Sequence, residues 1–117
     1  RRSVAEAYDA AFAQLPGVEI PFRAADSRHV FHQYTLKLTS HSRAALQAHL
    51  QAAGIPSMIY YPIPAHRQNM FSKFNLGHLH LPLTEALCEQ VISLPIHTEM
   101  DEQQLDYIIQ HVLSFFK

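Results

Sequence analysis

Apolar positions recur every three or four residues at the start of the chain: Val4, Tyr8, Phe12 and Leu15 share one face, while Glu6, Asp9 and Gln14 take others. That spacing predicts an amphipathic helix, stopped by Pro16 and Gly17. From Val30 to Leu38 the period drops to two. Val30, His32, Tyr34, Leu36 and Leu38 alternate with His29, Gln33, Thr35 and Lys37, the pattern of a half-buried strand. A second helix is predicted from Ser42 to Ala53, with Leu46, Leu50 and Ala53 on its stripe and Gly54 placed for a left-handed terminus. A short strand from Ser57 to Tyr61 follows. It must end where Pro62 and Pro64 remove the N–H groups a ladder needs, leaving a loop with one helical turn around Arg67 to Phe71.

Further along, Leu83, Leu87 and Val91 fall on one helical face, and Ile92, Leu94 and Ile96 read as a short strand that Pro95 confines to an edge or cuts short. Asp101 and Gln104 form a capping-box pair ahead of Leu105, Ile108, Ile109, Val112 and Phe116, so a C-terminal helix is predicted. The strands are few and short. The expected fold is therefore a small two-layer α+β sandwich, with helices packed on one face of a short, mostly antiparallel or mixed sheet. No repeat, low-complexity tract or linker divides the chain, so residues 1–117 are expected to form a single domain.

Composition narrows the function classes. At 117 residues, 48% apolar and 16% charged, the chain is long enough for one core and should fold. A net charge of -1 argues against a dedicated nucleic-acid binder, whose surface is usually basic. Small molecules and protein are the expected partners. Cys88 is the only cysteine, which excludes an internal disulfide and is compatible with a reducing cytoplasm. No apolar run approaches the roughly 20 residues that span a bilayer, and the opening segment is amphipathic, unlike a signal-peptide core. The chain opens on Arg1 directly in a helical pattern, and the expectation is processing or, more simply, a piece of a longer protein.

Nine histidines raise the question of a metal. The lone Cys88 excludes a thiolate-rich zinc site, and no H-E-x-x-H spacing is present. His78 and His80 would share a face in an extended loop, yet no carboxylate lies near them in sequence, so a solvated polar loop is the favoured reading and no metal is expected. His32, between Val30 and Tyr34, reads as a core or pocket-edge histidine with a binding role as the alternative. His49 and His111 mark helix edges. Cys88 has no evident activating partner, no serine sits in a G-x-S-x-G elbow, and Gly17, Gly54 and Gly77 are too scattered for a phosphate loop.

The segment "SMIYYPIPAHRQNMF" (57–71) is too irregular for core and too aromatic for an ordinary loop. Together with "RHVFHQYTLKL" and "LPLTEALCEQVISLPIHTEMDEQQLDYII" it resembles, in order and spacing, the C-terminal domain of the DegT/DnrJ/StrS family of nucleotide-sugar aminotransferases. The resemblance runs from Tyr8 to Phe116, and its most specific parts are G-I-P-x-x-x-x-Y-P-x-P-x-H-x-Q and a later L-x-L-P.

Several expectations follow from that resemblance. These fold type I enzymes use pyridoxal 5'-phosphate (PLP), held as a Schiff base by a lysine of a large N-terminal domain, and this chain resembles only the small domain that closes the active site. PLP is implied for the full-length parent, with none bound by this chain alone, since Lys37, Lys73 and Lys117 do not match the Schiff-base context. The resemblance also implies a nucleotide-sugar substrate, glutamate as amino donor, the large domain of the same enzyme as partner, a homodimer, and a cytoplasmic location. It places Tyr60, Tyr61, His66 and Gln68 on the sugar cleft, with His32 as a further candidate. Stiff prolines would hold the segment extended while tyrosine faces and polar side chains meet a hexose. Many relatives have His where this chain has Tyr60. The alternatives are that these aromatics only seal a domain interface, and that the chain is a free-standing, non-catalytic binding or regulatory module with the same fold. As a detached domain, it would be expected to leave an exposed apolar face and to self-associate, the candidates being the first helix with Tyr8 and Phe12 and the aromatic segment around Tyr60, Tyr61 and Phe71.

Overall fold

A computed structural model describes residues 1–117. Helix α1 (Arg2–Phe12) is followed by strand β1 (Val18–Glu19), β2 (Tyr34–Leu38), α2 (Arg43–Ala52), α3 (Pro82–Gln90), β3 (Val91–Leu94) and α4 (Glu102–Phe115). Three short 3₁₀ turns, Ala65–Arg67, Asn69–Phe74 and Leu76–His78, fill the stretch before α3. The sheet has the order β1-β2-β3 with both pairings antiparallel, so it is not mixed.

Register decides which side chains face the helices. Tyr34 pairs with Leu94 and Leu36 with Ile92, and all four are buried. Between them Thr35 pairs with Ser93 and Lys37 with Val91, pointing to the opposite face as period-two geometry requires. The inward set joins Val4, Tyr8 and Phe12 of α1, Leu46 and Leu50 of α2, and Ile108 and Val112 of α4 in one core. Tyr8 and Phe12 are fully buried there, so the apolar face expected on α1 is not exposed. The exposed apolar side chains lie elsewhere, led by Phe22, Val30, Leu83, Met70 and Tyr61.

Two helices start where their caps are written. The Ser42 side chain accepts from the Ala45 N–H, and Asp101 with Gln104 makes a complete capping box. Gly17 turns the chain from α1 into β1 at φ +74, where a Cβ would overlap the Ser40 hydroxyl. A buried polar link closes the core: the Tyr8 hydroxyl donates to the Pro95 carbonyl at 2.8 Å. The Tyr34 hydroxyl donates to Asp9 at 2.8 Å, and Asp9 also pairs with Arg23 at 2.5 Å. Burial, and for Tyr34 also the Asp9 carboxylate, pushes both phenols up, so they remain donors throughout the neutral range.

Several boundaries differ from the sequence reading. The strand expected from Val30 begins only at Tyr34, because Phe31 adopts φ 49, turns its ring into the core and donates its N–H to His29 Nδ1. Val30 and His32 are consequently exposed and do not extend the apolar face. The expected strand Ser57–Tyr61 is a single bridge between Met58 and Ser93. In α3 the buried residue is Cys88, while Leu83 is exposed. Strand β1 was not expected at all.

Candidate functional site

The outward face of the sheet carries the Thr35 and Ser93 hydroxyls, which bond to each other at 2.8 Å. The chain reaches this face through Gly54, whose φ of +72 ends α2, and Ile55, which plugs into the core. Met58 then exchanges both backbone hydrogen bonds with Ser93, at 3.1 and 2.7 Å, pinning the segment against β3. Beyond it the prolines replace ladder bonds with a turn, closed by Arg67 N–H to the Pro64 carbonyl at 2.9 Å and Gln68 N–H to Ala65 at 3.1 Å.

This path leaves a cavity of about 400 Å³ between the segment and the sheet. Thr35 and Val91 of the sheet and Cys88 of α3 line it together with Tyr60, Tyr61 and Gln68 of the segment, which form its segment-side wall. The two tyrosine rings meet edge-on, centroids 5.9 Å apart, and both remain exposed. The Gln68 amide donates to the Ile63 carbonyl at 3.2 Å, which holds the side chain across the turn and leaves its oxygen as an acceptor. Tyr60 also borders a smaller neighbouring cavity of about 190 Å³, whose lining includes His32, Met58 and Ser93. The lining is largely apolar with a few hydroxyl and amide groups, the make-up of a small-molecule site.

Four of the five predicted site residues are thus brought together. Tyr60 is shared by both cavities, Tyr61 and Gln68 belong to the larger, and His32 to the smaller. His66 borders neither. It is buried, with Nε2 3.2 Å from Glu85 Oε1.

Glu85 escaped the sequence reading. Its Oε1 lies 3.2 Å from His66 Nε2, 2.9 Å from the Arg67 guanidinium and 3.1 Å from the Leu81 N–H. Oε2 is 3.1 Å from His80 Nδ1. The Leu81 N–H bond, followed by the His66 bond and the charges of Arg67 and His80, holds the carboxyl below its ordinary value against the opposing effect of burial. A sequence signal was available: an acidic residue in the first turn of a helix headed by Pro82 is placed to reach back to the free N–H before it.

His78 and His80 diverge to separate partners, His78 Nδ1 to the Asn75 carbonyl at 2.8 Å and His80 to Glu85. No group of three or more His, Cys, Asp or Glu is placed to hold a metal ion. No lysine lines either cavity: Lys37, opposite Val91 in the sheet, pairs with Glu19 at 3.1 Å, Lys73 lies over the Phe74 ring, and Lys117 ends the chain.

Comparison with known proteins gives this geometry a context. The chain is 43% identical over 88 residues to UDP-N-acetyl-3-dehydro-alpha-D-glucosamine 3-aminotransferase of Acidithiobacillus ferrooxidans, covering 75% of this chain and 23% of that protein. The structure of S. venezuelae DesV in complex with ketimine intermediate superposes with a TM-score of 0.91 at 30% identity, over 99% of this chain and 31% of that one. NtdA from Bacillus subtilis with bound cofactor PMP superposes with a TM-score of 0.86 at 25% identity, over 99% and 27%. The chain therefore spans between 23% and 31% of the length of these relatives. The model of the DegT/DnrJ/EryC1/StrS aminotransferase family matches residues 1–113, and the chain belongs to that family.

Proposed function

We propose that these residues form the small C-terminal domain of a PLP-dependent aminotransferase that moves an amino group from glutamate to a nucleotide-linked keto sugar. In this reading Tyr60, Tyr61 and Gln68 form a wall of the sugar cleft, with His32 at its edge and His66 behind it. The observation that carries it is the 400 Å³ cavity, which combines exposed aromatic faces with a free amide oxygen and lies on the segment whose motif carries the family resemblance. A hexose presents both an apolar ring face and a rim of hydroxyls, and such a surface matches each. The small domain closes over the large one and completes the cleft. The enzyme is taken to be a cytoplasmic homodimer; no helix of this chain is long and apolar enough to cross a membrane.

The cofactor itself does not fit these residues. A Schiff base needs a lysine amine at the cleft, yet the Lys37 amine is engaged by Glu19 and neither Lys73 nor Lys117 lines a cavity. When bound, PLP supplies the electron sink for amino transfer. The contribution of this domain is to bind and orient the sugar. Purified full-length enzyme incubated with glutamate and a UDP- or dTDP-linked keto sugar should release 2-oxoglutarate in step with amino-sugar formation. Absence of turnover across a panel of such keto sugars would overturn the assignment.

A further inference from the structure

Next to the exposed wall stands a second group of polar side chains, centred on the half-buried Glu85. Four donors converge on that one carboxylate, from two separate stretches of chain: His66 and Arg67 in the 3₁₀ turn, His80 and the Leu81 N–H at the entrance to α3. A carboxylate held ionised can only accept. Its His66 partner must therefore be the ring with a proton on Nε2, and its His80 partner the ring with a proton on Nδ1. His66 makes its one side-chain hydrogen bond through Nε2, and no buried side-chain nitrogen lacks a partner, so His66 Nδ1 reaches the surface and in the neutral Nε2–H ring is a lone-pair acceptor. The same turn continues directly into Gln68, whose N–H bonds to the Ala65 carbonyl. Whatever fixes His66 and Arg67 also fixes the end of the cavity wall.

We propose that Glu85 is the positioning residue of this wall: it locks His66 as the Nε2–H tautomer, with Nδ1 open to a hydroxyl donor, and fastens the Ala65–Arg67 turn to the start of α3. The inference rests on the reading of the wall as the sugar side of the cleft. Its electrostatic basis is a carboxylate shared among charge-assisted bonds, which are roughly twice as strong as neutral ones. A second-layer residue of this kind acts on catalysis through geometry, where a small displacement of the wall weakens substrate positioning about tenfold or more.

The test uses the full-length enzyme carrying this chain, labelled with ¹⁵N at histidine, as wild type, Glu85→Ala and Glu85→Gln, with His66→Gln assigning the His66 signal. In the wild type, His66 should show the neutral Nε2–H pattern in long-range proton–nitrogen spectra. In Glu85→Ala it should become a mixture of tautomers, and KM for the nucleotide sugar should rise about tenfold while the amino-donor half-reaction changes less than about twofold. Glu85→Gln keeps the shape and the acceptor for Leu81 but not the charge, and gives an intermediate effect; it decides the matter if the alanine variant does not fold. An unchanged His66 tautomer in both variants overturns the clamp. A changed tautomer with an unchanged sugar KM leaves the clamp standing and overturns the placement of the wall in the sugar cleft.

Discussion

Replacing Tyr61 by alanine is the most direct perturbation of the proposed sugar wall. Tyr61 keeps 69% of its surface exposed although it stands over a cavity. An aromatic side chain can bury about 150–250 Å², so about 100–170 Å² of Tyr61 is open to a ligand. A sugar ring covering half of that removes about 50–85 Å² from water, or about 1.3–2 kcal/mol at about 25 cal/mol per Å². That difference corresponds to an increase of about 10- to 30-fold in KM for the nucleotide sugar. Because the ring is exposed in the free protein, the melting temperature should barely move; surface substitutions usually fall within about 0.5 kcal/mol. Tyr61→Phe keeps the covering area and should stay within about threefold of wild type if stacking is the source. Steady-state kinetics give the sugar KM, and the amino-donor half-reaction, followed alone by cofactor absorbance, should be unaffected. Equal damage to both half-reactions, or a melting temperature lowered in proportion to activity, would refute the reasoning and return Tyr61 to the role of an interface seal.

Other expectations concern the scaffold that holds the wall. Tyr34→Phe deletes a buried hydrogen bond to Asp9 that already has Arg23 as a second partner, so urea unfolding should show a loss of about 1–2 kcal/mol. Asp101→Ala removes the capping box of α4 and should cost about 1 kcal/mol by the same measurement, with no change in sugar KM. Glu85 has a folded-state pKa below its ordinary 4.5, so its contribution to stability is present above that value and is lost as pH falls through the folded pKa. Glu85→Gln should therefore be less stable than wild type at neutral pH, and the two should converge in acid, as read from denaturant midpoints at a series of pH values.

The parts of this fold legible in the sequence are those whose causes are local. Ser42, Gly54 and the Asp101–Gln104 pair mark helix ends through local geometry, and α2 begins and ends, and α4 begins, where those residues stand. Strand β2 was overextended because alternation continued through Phe31, and nothing in a period-two pattern reveals that one aromatic residue will take a positive φ to fill the core. Strand β1 is two residues long and exists only through its pairing with Leu38 and Lys37, too short for any periodicity. In α3 the expected stripe included Leu83, but the tertiary packing buries Cys88 instead. At the site, composition singles out the segment 57–71, and only the family resemblance points to its tyrosines and Gln68. Neither points to Glu85, because its partners His66 and Arg67 lie 19 and 18 positions away and meet it only through the fold.

The central claim is that the Tyr60–Gln68 segment faces the sugar, and a crystal structure of the full-length enzyme with a nucleotide-linked amino sugar bound tests it most directly. The account predicts the hexose ring within van der Waals contact, about 4 Å, of the Tyr61 ring and a sugar hydroxyl within hydrogen-bond distance of the Gln68 amide oxygen. A hexose bound with no atom in contact with Tyr60, Tyr61 or Gln68, and those side chains buried instead against the large domain, would contradict it.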